Sequence, residues 1–297
     1  MIPTSAARTL AVTGAGGFIG EATVKEAIRR GHDVVAVVRP GSSNQPAGGT
    51  TVAADVLERD RLATAFAGCD AVVHLAAVTS SAGRSSESFK VNVAGSHSVA
   101  WAARAAGVRT FIYLASQAAN EGPYATTKRK AEAAIRAAEI EPVVLRSSLV
   151  YGPGDRGLFA RIVKFVRVLP VVPLIGDGRY PMRPIHVDDV AAAIIGAVEH
   201  GDPGVSFDLS GGSEILFRDL LVAIGETIGR RPRLLRVPRA PVFAASVLAT
   251  RVWAGFPISP DMIRGLTNPV VLDGSAAERA LGFHARTLED GLRDALT

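Results

Sequence analysis

Short apolar runs alternate with amphipathic segments through the first half of the chain. The apolar runs are typical of buried β-strands and cover residues 9–13, 33–38, 51–53, 71–75, 110–115 and 142–146. Between them, apolar residues recur at helical spacing over residues 18–30, 57–67, 86–106 and 124–139. This alternation predicts an α/β fold built on a doubly wound parallel sheet that helices cover on both faces.

The rhythm changes after residue 146. Helical patterns cover residues 158–169, 188–198 and 217–228, and short strand patterns cover 185–187 and 207–209. Prolines and glycines between residues 170 and 178 predict a long loop there. We therefore expect a domain boundary near residue 150. Residues 151–297 would form mainly a smaller C-terminal lobe, with some segments returning to the sheet.

The composition limits the classes of protein that fit this pattern. With 297 residues, 48% of them hydrophobic, the chain can bury a large core. Cys69 is the only cysteine, so no internal disulfide can form, which is typical of a reducing compartment. No apolar run approaches the roughly 20 residues of a membrane span, and the first strand begins too early for a signal peptide to precede it. We expect a cytoplasmic protein without a membrane partner.

The net charge is +5, and its densest basic stretch holds Arg230, Arg231, Arg233, Arg236 and Arg239. Such a stretch can face an anionic ligand such as a diphosphate, but a solvated loop and strand edge is the favoured interpretation. No aromatic residues are interleaved with it, so we expect no nucleic-acid partner. The apolar stretch that follows, residues 240–256, is predicted to pack under the smaller lobe rather than to form a lid over a hydrophobic substrate.

A glycine-rich loop separates the first strand from the first helix. Residues 13–20 read Thr-Gly-Ala-Gly-Gly-Phe-Ile-Gly. Gly14 permits the tight turn, Gly17 lets the backbone approach a pyrophosphate, and Gly20 lets helix and strand pack closely. The helix N-terminus offers free N–H groups to the anion. Although the spacing is G-x-x-G-x-x-G rather than G-x-G-x-x-G, the context predicts a Rossmann-type dinucleotide-binding domain over residues 1–150, with residues 151–297 mainly binding substrate.

Ligands of such sheets bind beyond the carboxyl ends of the strands. The glycine loop, Arg39, Asp55, Ala76–Ala77 and Ser116 all follow predicted strands. We expect one pocket to gather them.

Tyr124 and Lys128 lie four residues apart in a predicted helix, so their side chains share one face. An ammonium beside a phenol favours the phenolate and thereby makes the tyrosine a better proton donor and acceptor near neutral pH.

Six segments follow one another in a specific order: T-G-A-G-G-F-I-G at 13–20, V-H-L-A-A at 73–77, V-N-V-A-G at 91–95, Y-A-T-T-K at 124–128, L-V-Y-G-P-G-D at 149–155 and I-H-V-D-D at 185–189. Together they resemble the short-chain dehydrogenase/reductase superfamily, in its extended branch of NAD-dependent epimerases, dehydratases and reductases. The resemblance runs from about residue 8 to about residue 235.

The resemblance implies a catalytic set of Ser116, Tyr124 and Lys128. Ser116 would hold the substrate oxygen, Tyr124 would exchange a proton with it, and Lys128 would lower the pKa of Tyr124 and bond the nicotinamide ribose. Asn92 would steady this end of the fold, although taken alone it is an ordinary polar residue of a helix surface. The implied dinucleotide contacts are Gly14, Gly17, Phe18, Ile19, Gly20, Asp55, Val56, Leu75, Ala76, Ala77, Tyr124 and Lys128, with Asp55-Val56 as the adenine-binding pair.

The end of the second strand bears on the choice of dinucleotide. Relatives that bind NAD usually carry an acidic residue there, whereas this chain has Arg39. A guanidinium can pair with a 2′-phosphate, so NADP is preferred and NAD remains possible. The alternative is that Arg39 is an ordinary exposed residue.

Three departures bear on the substrate. Only seven residues separate Ser116 from Tyr124, Arg183 is displaced by one position from the usual basic residue before Ile185-His186, and Ser147 replaces a common proline. These features favour the short, atypical members of the superfamily, whose substrates are diverse.

Our first hypothesis is an NAD(P)-dependent oxidoreductase that acts on a secondary alcohol or ketone of a small organic molecule. The second is a nucleotide-sugar epimerase or dehydratase that retains its cofactor. The third, a non-catalytic dinucleotide sensor, is disfavoured by the intact Ser116, Tyr124 and Lys128. A homodimer through the helices at 86–106 and 124–139 is possible.

Two histidines bear on a metal site. We expect His74 to be a packed residue with one backbone hydrogen bond, and we expect Asp188 or Asp189 to cap the helix that follows His186. The sequence therefore predicts no metal site.

Overall fold

The computed structural model describes residues 6–78, 85–116, 123–252, 260–267 and 270–296. The strands are β1 (Thr9–Thr13), β2 (Asp33–Val38), β3 (Thr50–Ala53), β4 (Ala71–His74), β5 (Thr110–Ser116), β6 (Val143–Ser147), β7 (Val150–Tyr151), β8 (Val171–Ile175), β9 (Pro181–Met182), β10 (Ile185–His186), β11 (Ser206–Leu209), β12 (Ile215–Leu216) and β13 (Arg233–Val237).

The helices are α1 (Phe18–Arg29), α2 (Arg59–Phe66), α3 (Ser85–Phe89), a π-helical segment (Lys90–Gly95), α4 (Ser96–Ala105), α5 (Pro123–Ala137), α6 (Leu158–Val168), α7 (Val187–His200), α8 (Phe217–Thr227), α9 (Arg239–Val252), α10 (Pro260–Thr267), α11 (Ser275–Leu281) and α12 (Leu288–Leu296). None of these described helices is both long enough and apolar enough to cross a bilayer.

Seven strands form a parallel central sheet in the order β11-β6-β5-β4-β1-β2-β3. Alternate residues of each inner strand enter two separate apolar cores. Leu10, Val12 and Ile112 pack with α1 and α7 on one face, while Ala11 and Phe111 pack with α2, α4 and α5 on the other. The predicted doubly wound α/β fold is confirmed, because consecutive apolar residues are required only when both faces of a sheet are buried.

The chain after β6 contributes to the same sheet and also to a third core. β11 pairs with β6 at the sheet edge, and α7 packs against α1. The third core joins α6, β8 and α8 through residues such as Phe159, Val172 and Leu220. The division near residue 150 remains a prediction.

Two predicted elements differ from the structure. The helix expected over residues 86–106 is interrupted by the π-helical segment, since its hydrogen-bond register changes around Asn92. The loop expected over residues 170–178 contains β8, which pairs with β13. Pro173 lacks an N–H donor but is compatible with β8, because this strand has one hydrogen-bonded neighbour and a free edge.

The packing predicted for residues 240–256 is correct for only one side of α9. Ser246 is buried and Val242 lines a cavity, whereas Leu248 and Val252 are exposed. The outer side is therefore an apolar surface, and residues 253–256 lie outside the described part of the chain.

Candidate active site

The glycine loop turns tightly between β1 and α1. Gly14 has φ of +72°, and a Cβ atom there would lie 2.8 Å from the backbone nitrogen of Ala76. A Cβ atom on Gly20 would lie 2.1 Å from the carbonyl oxygen of Gly14. Gly17 is the N-cap of α1 and donates its N–H to the Gly14 carbonyl at 2.9 Å. A side chain is thus excluded at Gly14 and at Gly20, in a loop that presents backbone N–H groups at a helix N-terminus.

A cavity of about 270 Å³ opens at this loop. Its lining includes eight of the residues that we expected at the dinucleotide: Gly14, Gly17, Arg39, Asp55, Val56, Leu75, Ala76 and Ala77. Phe18, Ile19 and Gly20 do not line it but form the first turn of α1. Because its walls include the glycine loop and the carboxyl ends of β1, β2 and β4, the cavity fits a dinucleotide.

Sequence reasoning did not assign eight further residues to this cavity: Gly16, Val37, Val38, Ser42, Ala54, Val78, Glu87 and Val91. Ser42 is the most informative, because it faces the same cavity as Arg39. A turn joins the two residues, in which the Ser42 N–H donates to the Arg39 carbonyl at 3.0 Å. A hydroxyl residue shortly after a basic strand end is the signal that would have identified it.

Ser116 ends β5, and Tyr124 and Lys128 lie in the first turns of α5. The Ser116 hydroxyl lies near enough to the Tyr124 phenol to act on its pKa. The Nζ atom of Lys128 donates to the carbonyl oxygen of Leu114 at 2.7 Å and lies 4.4 Å from the ring centre of Tyr113. The lysine is thus directed at β5.

The prediction that Lys128 lowers the pKa of Tyr124 is wrong for this arrangement. Burial raises the pKa of Tyr124, and the Ser116 hydroxyl offsets only part of that rise. Burial also lowers the pKa of Lys128 to about 7. The phenol is therefore held in its protonated form at neutral pH.

Asn92 is buried within the π-helical segment, so the helix-surface interpretation is excluded. Its Oδ1 atom accepts from the Val78 N–H at 2.7 Å, and its Nδ2 donates to the Val78 carbonyl at 3.1 Å. The same Nδ2 donates to Thr127 Oγ1 at 3.1 Å, and Thr127 donates to the Tyr124 carbonyl at 2.8 Å. Asn92 therefore ties the segment after β4 to the helix that carries Tyr124 and Lys128.

His74 has two side-chain partners rather than the expected backbone hydrogen bond. Its Nδ1 lies 2.7 Å from Thr13 Oγ1, and its Nε2 lies 2.8 Å from Ser96 Oγ. Ser96 donates to the Asn92 carbonyl at 2.6 Å, so its oxygen is left to accept from His74. Burial lowers the pKa of His74 to about 3, which keeps the ring neutral. A continuous chain of hydrogen bonds thus runs from β1 to α5.

Among the described residues, the expected site residues line two cavities, so the prediction of a single pocket stays a prediction. Ser116 and Lys128 line a second cavity of about 550 Å³, together with residues of α5, β6 and β11 such as Arg146 and Asp208. The two cavities differ because Ser116 ends β5, which lies two strands away from β1 in the sheet. Residues 79–84 and 117–122, which follow β4 and β5, lie outside the described part of the chain.

The predicted caps of α7 are also wrong. His186 is the N-cap, and its Nδ1 accepts from the Asp188 N–H at 3.3 Å. Asp189 instead accepts from the N–H of Arg286 at 3.0 Å and from its Nε at 2.9 Å. His186, Asp188 and Asp294 lie close enough to hold a metal ion, but the Arg286 guanidinium contacts both of these carboxylates. The guanidinium of Arg286 therefore already supplies the positive charge that these carboxylates require.

Three comparisons place this geometry among known proteins. A family model described as the NAD dependent epimerase/dehydratase family matches residues 10–209. A 4-hydroxy-2-methyl-3-oxo-4-farnesyl-3,4-dihydroquinoline-1-oxide ketoreductase of Stigmatella aurantiaca is 27% identical, over 96% of this chain and 94% of the relative. A ceramide reductase of Caulobacter vibrioides is 31% identical, over 87% of this chain and 82% of the relative. Among solved structures, MoeE5 in complex with UDP-glucuronic acid and NAD has a TM-score of 0.76 at 26% identity, covering 96% of this chain and 97% of MoeE5.

Proposed function

Because this chain belongs to the NAD-dependent epimerase/dehydratase family, we propose that it is a reductase of the short-chain dehydrogenase/reductase type that converts a ketone of a small organic molecule to a secondary alcohol. The dinucleotide, when bound at the glycine loop, supplies the hydride. The residues of the chain bind and orient the ketone and deliver the proton.

The observation that carries this proposal is that the end of β5 and the first turns of α5 bring Ser116 beside the Tyr124 phenol. A protonated phenol is an acid, so Tyr124 can donate its proton to a carbonyl oxygen as that carbon gains hydride. Ser116 can bond the same oxygen and hold it beside the phenol. The carbonyl thereby gains one hydride and one proton, which completes an alcohol.

Asn92 and Lys128 support the site from behind. Asn92 fixes the first turns of α5 through Thr127, which holds Tyr124 relative to β4. Lys128 is buried with a pKa of about 7 and therefore carries a partial charge at neutral pH. Both residues act on the position and charge of the groups around the phenol.

We favour NADP over NAD as the dinucleotide. Arg39 and Ser42 line the same cavity, and residues 38–42 contain no acidic side chain that would repel a phosphate. A guanidinium and a hydroxyl are the donors that a 2′-phosphate requires.

We further favour a ketone that carries an apolar chain. Two of the relatives reported above are a ceramide reductase and a farnesyl-dihydroquinoline-oxide ketoreductase. A cavity of about 80 Å³ in the C-terminal half is lined almost entirely by apolar side chains, among them Ile162, Phe165, Phe217 and Leu266. This cavity shares no lining residue with the cavities at the glycine loop and at Ser116, so the apolar chain of the ketone is proposed from the relatives.

The test is dinucleotide consumption by the purified protein. A series of 3-oxo compounds of increasing chain length is mixed with NADPH or NADH, and absorbance loss and alcohol formation are measured together. We expect stoichiometric NADPH oxidation that improves with chain length. A protein that keeps its dinucleotide through purification and interconverts nucleotide sugars without net consumption would instead be an epimerase. Tight dinucleotide binding without turnover on any substrate class would support a sensor.

A further inference from the structure

The positive charge of this chain is concentrated in two segments, residues 156–176 and residues 227–260. Together they hold 10 of the 33 Lys and Arg residues and none of the 28 Asp and Glu residues. The rest of the chain has 23 basic and 28 acidic residues, so it is net acidic although the whole chain is at +5. Lys164, Arg167, Arg231, Arg233 and Arg236 are among the exposed cations.

The same two segments carry the most exposed large apolar side chains of the described residues. Val252 is 84% exposed, Leu248 64%, Val168 63% and Leu235 60%. Large aliphatic side chains in water are unfavourable, and their concentration on one part of a surface indicates a binding partner.

The outer side of α9 carries an apolar stripe among the residues whose side chains are described. Its exposed residues after Arg239 are Ala240, Pro241, Ala244, Ala245, Leu248 and Val252, which recur at helical spacing. The opposite side is packed, since Ser246 is buried and the Phe243 ring lies 4.8 Å from the guanidinium carbon of Arg264. The helix therefore presents one apolar side outward while the other side anchors it.

The two segments are joined into one surface. β8 and β13 pair in register, with Val171 beside Arg233 and Pro173 beside Leu235. Arg230 donates to the carbonyl oxygens of Val166 at 3.2 Å and Leu169 at 3.0 Å, which fastens the start of β13 to the end of α6. The exposed Val171, Arg233 and Leu235 thus share one face of a single two-stranded ribbon that leads directly into α9.

We propose that this basic and apolar surface, formed by the end of α6, the β8–β13 ribbon and α9, docks on an anionic lipid bilayer. The aliphatic stripe would lie among the acyl chains next to the headgroups, and the exposed arginines would pair with lipid phosphates. This inference is independent of the proposed reductase activity. It revises our expectation of no membrane partner, because a helix that lies on a bilayer has an apolar stripe rather than a long apolar run.

Charge and side-chain chemistry select this occupant over others. A second copy that docked through the same surface would bring two basic surfaces together, which is electrostatically unfavourable. Nucleic acid would pair with the arginines but would leave Leu235, Leu248 and Val252 in contact with charged backbone. An anionic lipid surface satisfies both kinds of side chain.

The experiment is vesicle co-sedimentation of the full chain. Vesicles of phosphatidylcholine alone are compared with vesicles that also contain phosphatidylglycerol, at low and high salt. We expect binding to the anionic vesicles that weakens with salt. The pair Arg233→Gln with Arg236→Gln should lower the partition coefficient by about fivefold per arginine. The pair Leu248→Ser with Val252→Ser should lower it by at least about tenfold.

The control is the double variant Lys25→Gln with Val205→Ser, which changes one exposed cation and one exposed aliphatic residue outside the two segments. This variant should bind vesicles like the wild type. Far-ultraviolet circular dichroism and thermal melting verify that every variant is folded. Equal vesicle binding by the wild type and both test pairs would overturn the proposal, as would no binding by the wild type. Tighter binding of the protein to a DNA duplex than to vesicles would also overturn it. So would a dimer of the wild type that the double variant Leu248→Ser with Val252→Ser converts to a monomer and the other variants do not.

Discussion

The ammonium nitrogen of Lys128 lies 2.7 Å from the carbonyl oxygen of Leu114, so the lysine of the Tyr124-x-x-x-Lys128 motif is held by the neighbouring strand β5. The carbonyl and the Tyr113 ring replace part of the water that an ammonium would have at the surface. This replacement is incomplete, because burial still lowers the pKa of Lys128 to about 7. Burying the Lys128 ammonium therefore lowers the free energy of unfolding.

We expect Lys128→Met to stabilise the fold at neutral pH. The unfolded pKa is 10.5 and the folded pKa about 7, so below pH 7 both states are protonated and the full cost of burying the charge is present. Between these values the folded lysine has lost its proton while the unfolded one keeps it, so wild-type stability rises with pH. The variant should be about 3 kcal/mol more stable at or below pH 7, after allowing for the lost hydrogen bond, with no advantage near pH 10.5. Urea unfolding of both proteins across this range measures the difference, and a difference independent of pH would contradict the assignment.

Tyr124→Phe should abolish proton delivery while leaving the dinucleotide cavity intact. Loss of a general acid lowers kcat by about 10²–10⁴-fold. The dissociation constant for NADPH, measured by fluorescence titration, should stay within about twofold of the wild type, because the variant removes one oxygen and keeps the ring. Tyr180→Phe, in the C-terminal half, is the matched control and should retain activity. Wild-type turnover in Tyr124→Phe would remove this phenol from the mechanism.

Arg39→Ser should weaken the binding of NADPH without affecting the binding of NADH. A charge-assisted contact to a phosphate contributes about 1.5–3 kcal/mol, which corresponds to a rise in the KM for NADPH of roughly 10- to 100-fold. Arg109→Ser removes another exposed arginine, which precedes β5 and lies at the opposite end of the strands from the cavity, and serves as the control. Equal effects on the two dinucleotides would show that Arg39 does not select between them.

Gly14→Ala and Gly31→Ala separate backbone strain from close approach. Both residues have positive φ, +72° and +85°, so alanine is strained by a similar amount at each. Only Gly14 would also place its Cβ against Ala76, whereas no heavy atom lies within 4 Å of a Cβ at Gly31. We expect Gly31→Ala to cost about 1 kcal/mol and Gly14→Ala to cost at least about 2 kcal/mol more, with loss of dinucleotide binding. Thermal melting and NADPH titration measure the two effects, and similar losses at both positions would refute the contact argument.

Thr127→Val should disturb the tie between Asn92 and the Tyr124 helix. The valine has the shape of threonine but leaves one N–H of the buried Asn92 amide without its acceptor, at a cost of about 1–3 kcal/mol. We expect a lower kcat as well, because Thr127 also donates to the Tyr124 carbonyl. Thr127→Ser keeps the hydroxyl and should restore most of the stability and the rate. If the serine and valine variants behave alike, the hydroxyl is not what holds the helix.

Most of the central sheet follows from local pattern. β1 and β2 begin and end at the residues that the apolar runs predict. A strand that is buried on both faces is a nearly continuous apolar run, so the run itself marks the length of the strand. The interruption of the helix around Asn92 and the strand at Val171–Ile175 were missed, since both depend on partners far along the chain. Pro173 favoured a loop in the sequence pattern. The strand that pairs with β8 is β13, which lies about 60 residues later, so the local pattern did not reveal it.

The candidate site divides in the same way. The sequence alone identified the candidate residues: a glycine loop after the first strand, a serine at a strand end, and a tyrosine and a lysine on one helical face. Only the tertiary structure decided the state of those groups. Burial raises the pKa of Tyr124, β5 holds Lys128, and a chain of hydrogen bonds through His74 and Asn92 joins the loop to the helix. Residue type and spacing are local properties, whereas desolvation and hydrogen bonding depend on whatever the fold packs around each group.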